Sequence, residues 1–128
     1  ACAGSGLAPD AGVSFFLPRL AGLARAYELA VTNTPLVAEE AEKLGQVNRV
    51  FPAAELADGV GAIAQGLAAG PTRAFGLTKR AMNKALLTSL DEALDYEAHL
   101  QDAAGRTADH REGVAAFLEK RPPQFTGK

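Results

Sequence analysis

The residue best placed to move a proton is Asp10. It stands in the segment Gly6-Leu7-Ala8-Pro9-Asp10-Ala11-Gly12, where two glycines and a proline punctuate the backbone just ahead of a predicted helix start. A carboxylate held on tight turns can take a proton from a bound substrate and return it. The same position suits an N-cap, whose side chain accepts N–H bonds from Gly12 or Val13. Local sequence leaves both readings open. A second candidate lies near the other end of the chain. Phe117 and Lys120 are three residues apart on a predicted final helix, so a ring and an ammonium would share one face. Such a pair can stack a purine and neutralise a phosphate, or it can be ordinary C-terminal packing.

The remaining reactive side chains fit chemistry less well. Cys2 has no base or helix N-terminus nearby in sequence, which argues against a catalytic thiolate. Ser5 and Ser14 lack the G-x-S-x-G surroundings of a nucleophile elbow. Gly4 and Gly6 match the first two glycines of a dinucleotide fingerprint, but Pro9 holds the third position and no strand precedes it. His99 and His110 lack partners at ligand spacing, so no metal site is expected. Arg73, Lys79, Arg80 and Lys84 cluster on one predicted helix, either as a solvated face or as a docking surface for a phosphorylated ligand.

The elements that must position these groups are mostly helical. Residues 1–12 read as a loop. Val13 to Leu20 is a short apolar run that Pro18 and Gly22 should end. From Gly22, Leu23, Ala26, Tyr27, Ala30 and Val31 follow helical spacing until Asn33 and Pro35. A short helix is expected over 38–44, stopped by Gly45. Residues 46–51 are the best strand candidate, with Val47, Val50 and Phe51 apolar. Pro52 opens an amphipathic helix with Leu56, Val60, Ile63 and Leu67 on one stripe. Pro71 opens another, with Ala74, Phe75, Ala81, Met82, Ala85 and Leu86 inward. Ser89-Leu90-Asp91-Glu92 is a capping box. Asp109 and Glu112 form a weaker cap signal for a last helix running to about Arg121, where Pro122 and Pro123 end it.

Composition bounds the function. The 128 residues are 48% hydrophobic and 22% charged, the balance of a folded domain rather than a disordered chain. A net charge of −2 offers no basic field for nucleic acid. A single cysteine cannot close an internal disulfide. No apolar run approaches the ~20 residues of a membrane span. Residues 1–10 lack the marks of a signal peptide, and the sequence predicts a soluble, cytoplasmic chain. Abundant alanine and absent tryptophan limit the apolar area each residue can bury, which predicts reliance on neighbouring surfaces.

Four segments together are distinctive: GLAPDAGVSFFLPRLAGLARAYEL, AEEAEKLGQVNRVFP, GPTRAFGLTK and DHREGVAAFLEKRPPQFTGK. In this order and spacing they resemble the C-terminal half of the enoyl-CoA hydratase/isomerase (crotonase) superfamily, over essentially the whole chain from Gly6. The PD-x-G turn, the LPRL-x-GLA-x-A run and the H-x-EGV-x-AF-x-EKR-x-P-x-F end look most like the bacterial phenylacetate-degradation branch, the 1,2-epoxyphenylacetyl-CoA isomerases.

That resemblance implies an α/β fold, the crotonase β-β-α spiral, of which this chain is the mostly α-helical C-terminal half. Residues 1–52 would close the spiral core with the acid/base turn, and residues 53–128 would form a helical trimerisation region. It implies an acyl-CoA thioester substrate, no tightly bound cofactor, no metal and a homotrimer or dimer of trimers. Asp10 matches the aspartate of the isomerase branch, while Phe117 and Lys120 match positions that contact the adenine and phosphate end of coenzyme A. Arg19 and Leu20 follow the motif and need only be structural. Hydratases of the family carry a second glutamate that aligns with Cys2, where this chain has no acid. The departure favours proton shuttling over water addition. The family's oxyanion-hole donors belong to its N-terminal half, so these 128 residues alone are expected to be inactive. Two alternatives are a hydratase with unusual residues and a non-catalytic helical assembly module.

Overall fold

The computed structural model of the chain describes residues 2–128, which divide into a unit extending to Leu56 and a second unit from Ala57 to Lys128. In the first unit a single 3₁₀ turn, Ala3–Ser5, precedes α1 (Val13–Ala21), α2 (Leu23–Thr32) and α3 (Ala38–Lys43). The second is built on α4 (Leu56–Ala68), α5 (Thr72–Ala85), α6 (Leu90–Gly105) and α7 (Ala108–Glu119). No strand occurs among the described residues, and the segment 46–51 expected to be a strand is irregular. Its physical reason is local. Gly45 turns left-handed at φ 70°, and both Gln46 and Val47 donate back to the Ala41 carbonyl, which spends their N–H groups on ending α3.

In the first unit α1 packs against α2, and Ala26 is its buried residue. Alanine at the contact lets two helices approach closely. Contrary to expectation α1 does not stop at Pro18 but runs through it to Ala21. Proline removes one N–H, the one that would reach the Ser14 carbonyl, yet it fits helical φ. Arg19 braces the same turn through a different carbonyl. Its guanidinium donates to the Phe15 carbonyl at 2.8 Å and lies 3.6 Å from the Phe15 ring centroid. Phe15 in turn meets Phe16 edge-on at 5.1 Å. One residue, Gly22, both ends α1 and begins α2, with φ 77° and ψ 155°.

In the second unit α5 and α6 form the main hairpin, with Leu77 and Leu100 as their buried residues. The inward set expected for α5 is thus corrected: Leu77 takes the buried place, while Phe75, Met82 and Leu86 stay largely exposed. The α4 stripe forms as a helix but begins at Leu56 rather than Pro52, because a turn over 53–55 intervenes. Leu56, Val60 and Leu67 on it are each about half exposed.

The capping box at Ser89 is formed as the sequence predicts. Ser89 Oγ accepts the Glu92 N–H at 3.3 Å, and the Glu92 carboxylate accepts the Ser89 N–H at 3.4 Å. The cap expected at Asp109 lies two residues earlier, at Thr107, whose hydroxyl accepts from His110 N–H at 3.0 Å. The helix it opens ends at Glu119, not Arg121. Replacing the Ser89 cap removes a helix-terminal acceptor that α6 has no other residue to supply. Ser89→Ala should lower stability by about 1 kcal/mol, read as a lower thermal midpoint.

Candidate functional site

Asp10 sits at the entrance to α1, and its local backbone explains why the cap reading fails. Its carbonyl accepts Val13 N–H at 2.9 Å, but no helical N–H reaches its side chain. Two left-handed residues follow, Ala11 at φ 49° and Gly12 at φ 82°. That double turn makes Gly12 the helix N-cap, and no side chain caps the helix. Glycine is needed there twice over, since a Cβ at residue 12 would also come within 3.2 Å of the Phe16 ring. Ala11 has no such freedom, and a non-glycine residue in this region carries strain of about 1 kcal/mol or more.

The exposed Asp10 carboxylate has one side-chain contact among the described residues. Cys2 Sγ lies 3.9 Å from Oδ1, a weak S–H donor facing an acceptor. Sequence gave Cys2 no partner, because the 3₁₀ turn that folds residues 3–5 back was not legible. Cys2 and Pro9 line a recess of about 390 Å³ whose other walls include Val13, Leu17 and Leu29. The turn therefore offers a solvent-accessible carboxylate, a neighbouring thiol and an apolar wall.

The second candidate site is rebuilt by the structure. Phe117 is on α7, 81% exposed, and lines a cleft of about 430 Å³ with His110, Val114, Leu118 and Phe125. Lys120 lies outside the helix. It is left-handed at φ 54° and ψ 39°, so Phe117 and Lys120 do not share a helix face as their spacing suggested. The bonds that end α7 run from Lys120 N–H to the Phe117 carbonyl and from Arg121 N–H to the Ala116 carbonyl. This is the Schellman pattern, in which the left-handed position is ordinarily glycine.

Sequence reading also missed what holds the chain beyond it. Asp109 is the one buried charged residue among those described. Its Oδ1 accepts from the Thr126 N–H at 2.7 Å and the Thr126 hydroxyl at 3.3 Å, and its Oδ2 accepts from Gly127 N–H at 2.8 Å. One helical turn on, Glu112 takes both terminal nitrogens of Arg121 at 2.6 and 3.0 Å and the Gln124 N–H at 2.8 Å. Arg121 Nε also donates to Glu119 at 2.6 Å. Two carboxylates at i, i+3 followed by a Pro-Pro break were the available signal; the helical-cap reading used the same residues differently.

Other sequence candidates stay apart. Arg73, Lys79, Arg80 and Lys84 are all exposed on α5, and Arg80 reaches the Tyr96 hydroxyl at 3.3 Å. No group of three metal-ligating side chains occurs among the described residues. No helix of the described residues is long and apolar enough to cross a membrane.

The Arg121 guanidinium, followed by the Gln124 N–H, holds the Glu112 carboxyl down at about 2 from an ordinary value of 4.5. A depressed carboxylate stabilises the fold above its ordinary range and loses that contribution as pH falls towards the folded value. The thermal midpoint should therefore decline between about pH 4.5 and 2, and Glu112→Gln should flatten that part of the profile. An identical acid limb in the variant would show the clamp to be energetically silent.

Known proteins resemble the chain closely. The family model described as enoyl-CoA hydratase/isomerase matches residues 3–128. The 1,2-epoxyphenylacetyl-CoA isomerase of Escherichia coli (strain K12) is 50% identical over 123 residues, 96% of this chain and 47% of that protein. Among solved structures, an enoyl-CoA hydratase of Geobacillus kaustophilus superposes with a TM-score of 0.95 at 38% identity, covering 99% of this chain and 49% of its own. An enoyl-CoA hydratase of Bacillus anthracis gives 0.89 at 34% identity, covering 98% and 48%. The chain thus spans about half the length of the relatives it matches.

Proposed function

Because the chain belongs to the enoyl-CoA hydratase/isomerase family, we propose that it is the C-terminal half of an acyl-CoA isomerase in which Asp10 is the single acid/base. The observation that carries this reading is the pairing at the turn. The side chain beside the Asp10 carboxylate is the Cys2 thiol, 3.9 Å away, and not a second carboxylate. Adding water across a double bond needs one group to deprotonate the water and another to protonate carbon, whereas moving a double bond needs one base that gives back the proton it took. Ionised Asp10 would remove a proton from the carbon next to the double bond of an enoyl thioester, or assist ring opening of an epoxide acyl-CoA. Electron density moves into the thioester carbonyl as an enolate, and the carboxylic acid then returns the proton to a different carbon. No atom is gained or lost. Coenzyme A enters as part of the substrate, and the reaction calls for no resident cofactor.

Charge on the enolate oxygen has to be met by preorganised donors. We assign these to the portion of the relatives that this chain does not span. Removing one such donor costs on the order of 100- to 1000-fold in rate. Phe117, at the mouth of its cleft, and Lys120 would hold the adenine and phosphate end of the thioester. Residues 1–52 would then serve the acid/base turn and 53–128 a trimer of such chains, for which the half-exposed Leu56, Val60 and Leu67 provide apolar contact area. Phenylacetate or fatty-acid catabolism in the cytoplasm is the setting this chemistry fits.

In the full-length protein Asp10→Asn should lower isomerisation of a 3-enoyl-CoA by about 100- to 10,000-fold while thioester binding survives. Full rate in that variant would remove Asp10 from the mechanism. Accumulation of a 3-hydroxyacyl-CoA from crotonyl-CoA would favour the hydratase instead. The 128 residues alone should show no turnover in the same assay, and measurable activity would place the oxyanion donors within them.

A further inference from the structure

Lys120 occupies a backbone conformation that glycine adopts freely and lysine does not. Of the other non-glycine residues with positive φ, Asn33 is a type that tolerates it, so ordinary helix termination accounts for it. At Lys120 the strain needs both a restraint and a reason. The restraint is visible. Glu112 grips Arg121 through two nitrogens, Glu119 takes the third, and Asp109 ties down Thr126 and Gly127 further along. The reason lies in charge. Arg121 engages both Glu112 and Glu119, and no carboxylate among the described residues lies within ion-pair distance of Lys120. A Schellman motif commonly adds an apolar contact from the residue after the left-handed one, but here that residue is Arg121 and its contact is ionic.

We propose that Glu112 and Arg121 are positioning residues. They hold Lys120 in its left-handed turn, with its ammonium unpaired, to receive the phosphate-bearing end of the acyl-CoA. This inference rests on the acyl-CoA reading above and adds to it the device that sets the arm. A helix stop needs only glycine at residue 120; a lysine kept there under strain, beside an arginine that takes up the nearby acids, is arranged for an anion.

The test compares one 3-enoyl group carried as its CoA ester and as its N-acetylcysteamine ester, which lacks the nucleotide, in the full-length protein. Lys120→Gly and Lys120→Asn should raise KM for the CoA ester about tenfold with kcat unchanged, and leave the truncated ester as in the parent. Lys120→Gly should at the same time raise the thermal midpoint by about 2–4 °C, since glycine relieves the turn. Lys120→Arg should restore the KM. Glu112→Gln should raise KM for the CoA ester alone, and the Glu112→Gln, Lys120→Asn double variant should be no worse than Lys120→Asn. An unchanged KM in the Lys120 variants, equal losses on both esters, or additive effects in the double variant would each overturn the proposal. A parent protein that turns over neither ester would instead overturn the acyl-CoA reading beneath it.

Discussion

A buried carboxylate has to be satisfied, and the C-terminal end of this chain is shaped by that requirement at Asp109. Desolvating an ion is expensive unless hydrogen bonds replace the water it loses. Asp109, at 3% exposure, collects three such bonds from Thr126 and Gly127, while its own N–H donates to the Lys128 carbonyl. To deliver those donors the chain must reverse immediately after α7. The reversal puts residue 120 into the left-handed region and brings Arg121 over Glu112. Helix end, turn and tail are therefore one coupled arrangement.

The turn at Asp10 follows a different logic. There the backbone specifies the site before any side chain does. Ala11 and Gly12, both at positive φ, move the helix cap off Asp10 and leave its carboxylate with only a thiol beside it. Strain of this sort persists where surrounding packing over-determines it, and here the Phe16 ring against Gly12 supplies part of that packing. A carboxylate spent on capping would be a poor base. One released by the backbone is available.

Much of this was legible in the sequence, for reasons that differ by element. The Ser89 box was readable because both partners lie within four residues, and the extent of α2 because Asn33 and Pro35 are strong stops. The helical half of a crotonase-type fold was readable through the family resemblance that four segments carry, and the superpositions agree with it. What escaped were effects of partners distant in the chain. Asp109 finds its donors 17 and 18 residues away, so its sequence neighbourhood suggested a cap instead. Periodicity marked Phe75 and Met82 as inward, yet it cannot say which apolar face meets a neighbour within the same unit; Leu77 did. The 46–51 segment has strand composition, but the Gly45 turn claims its first N–H groups.

Gly22 carries a mechanical consequence. A backbone at φ 77° and ψ 155° is open essentially to glycine alone, and this single residue is the whole joint between α1 and α2. There is no loop in which an insertion or a second residue could absorb the angle. Any side chain at residue 22 would strain the joint, whereas a change on the outer surface of either helix leaves its backbone angles untouched. The direction in which α2 leaves α1, the helix behind Asp10, is thereby written into the backbone of one residue.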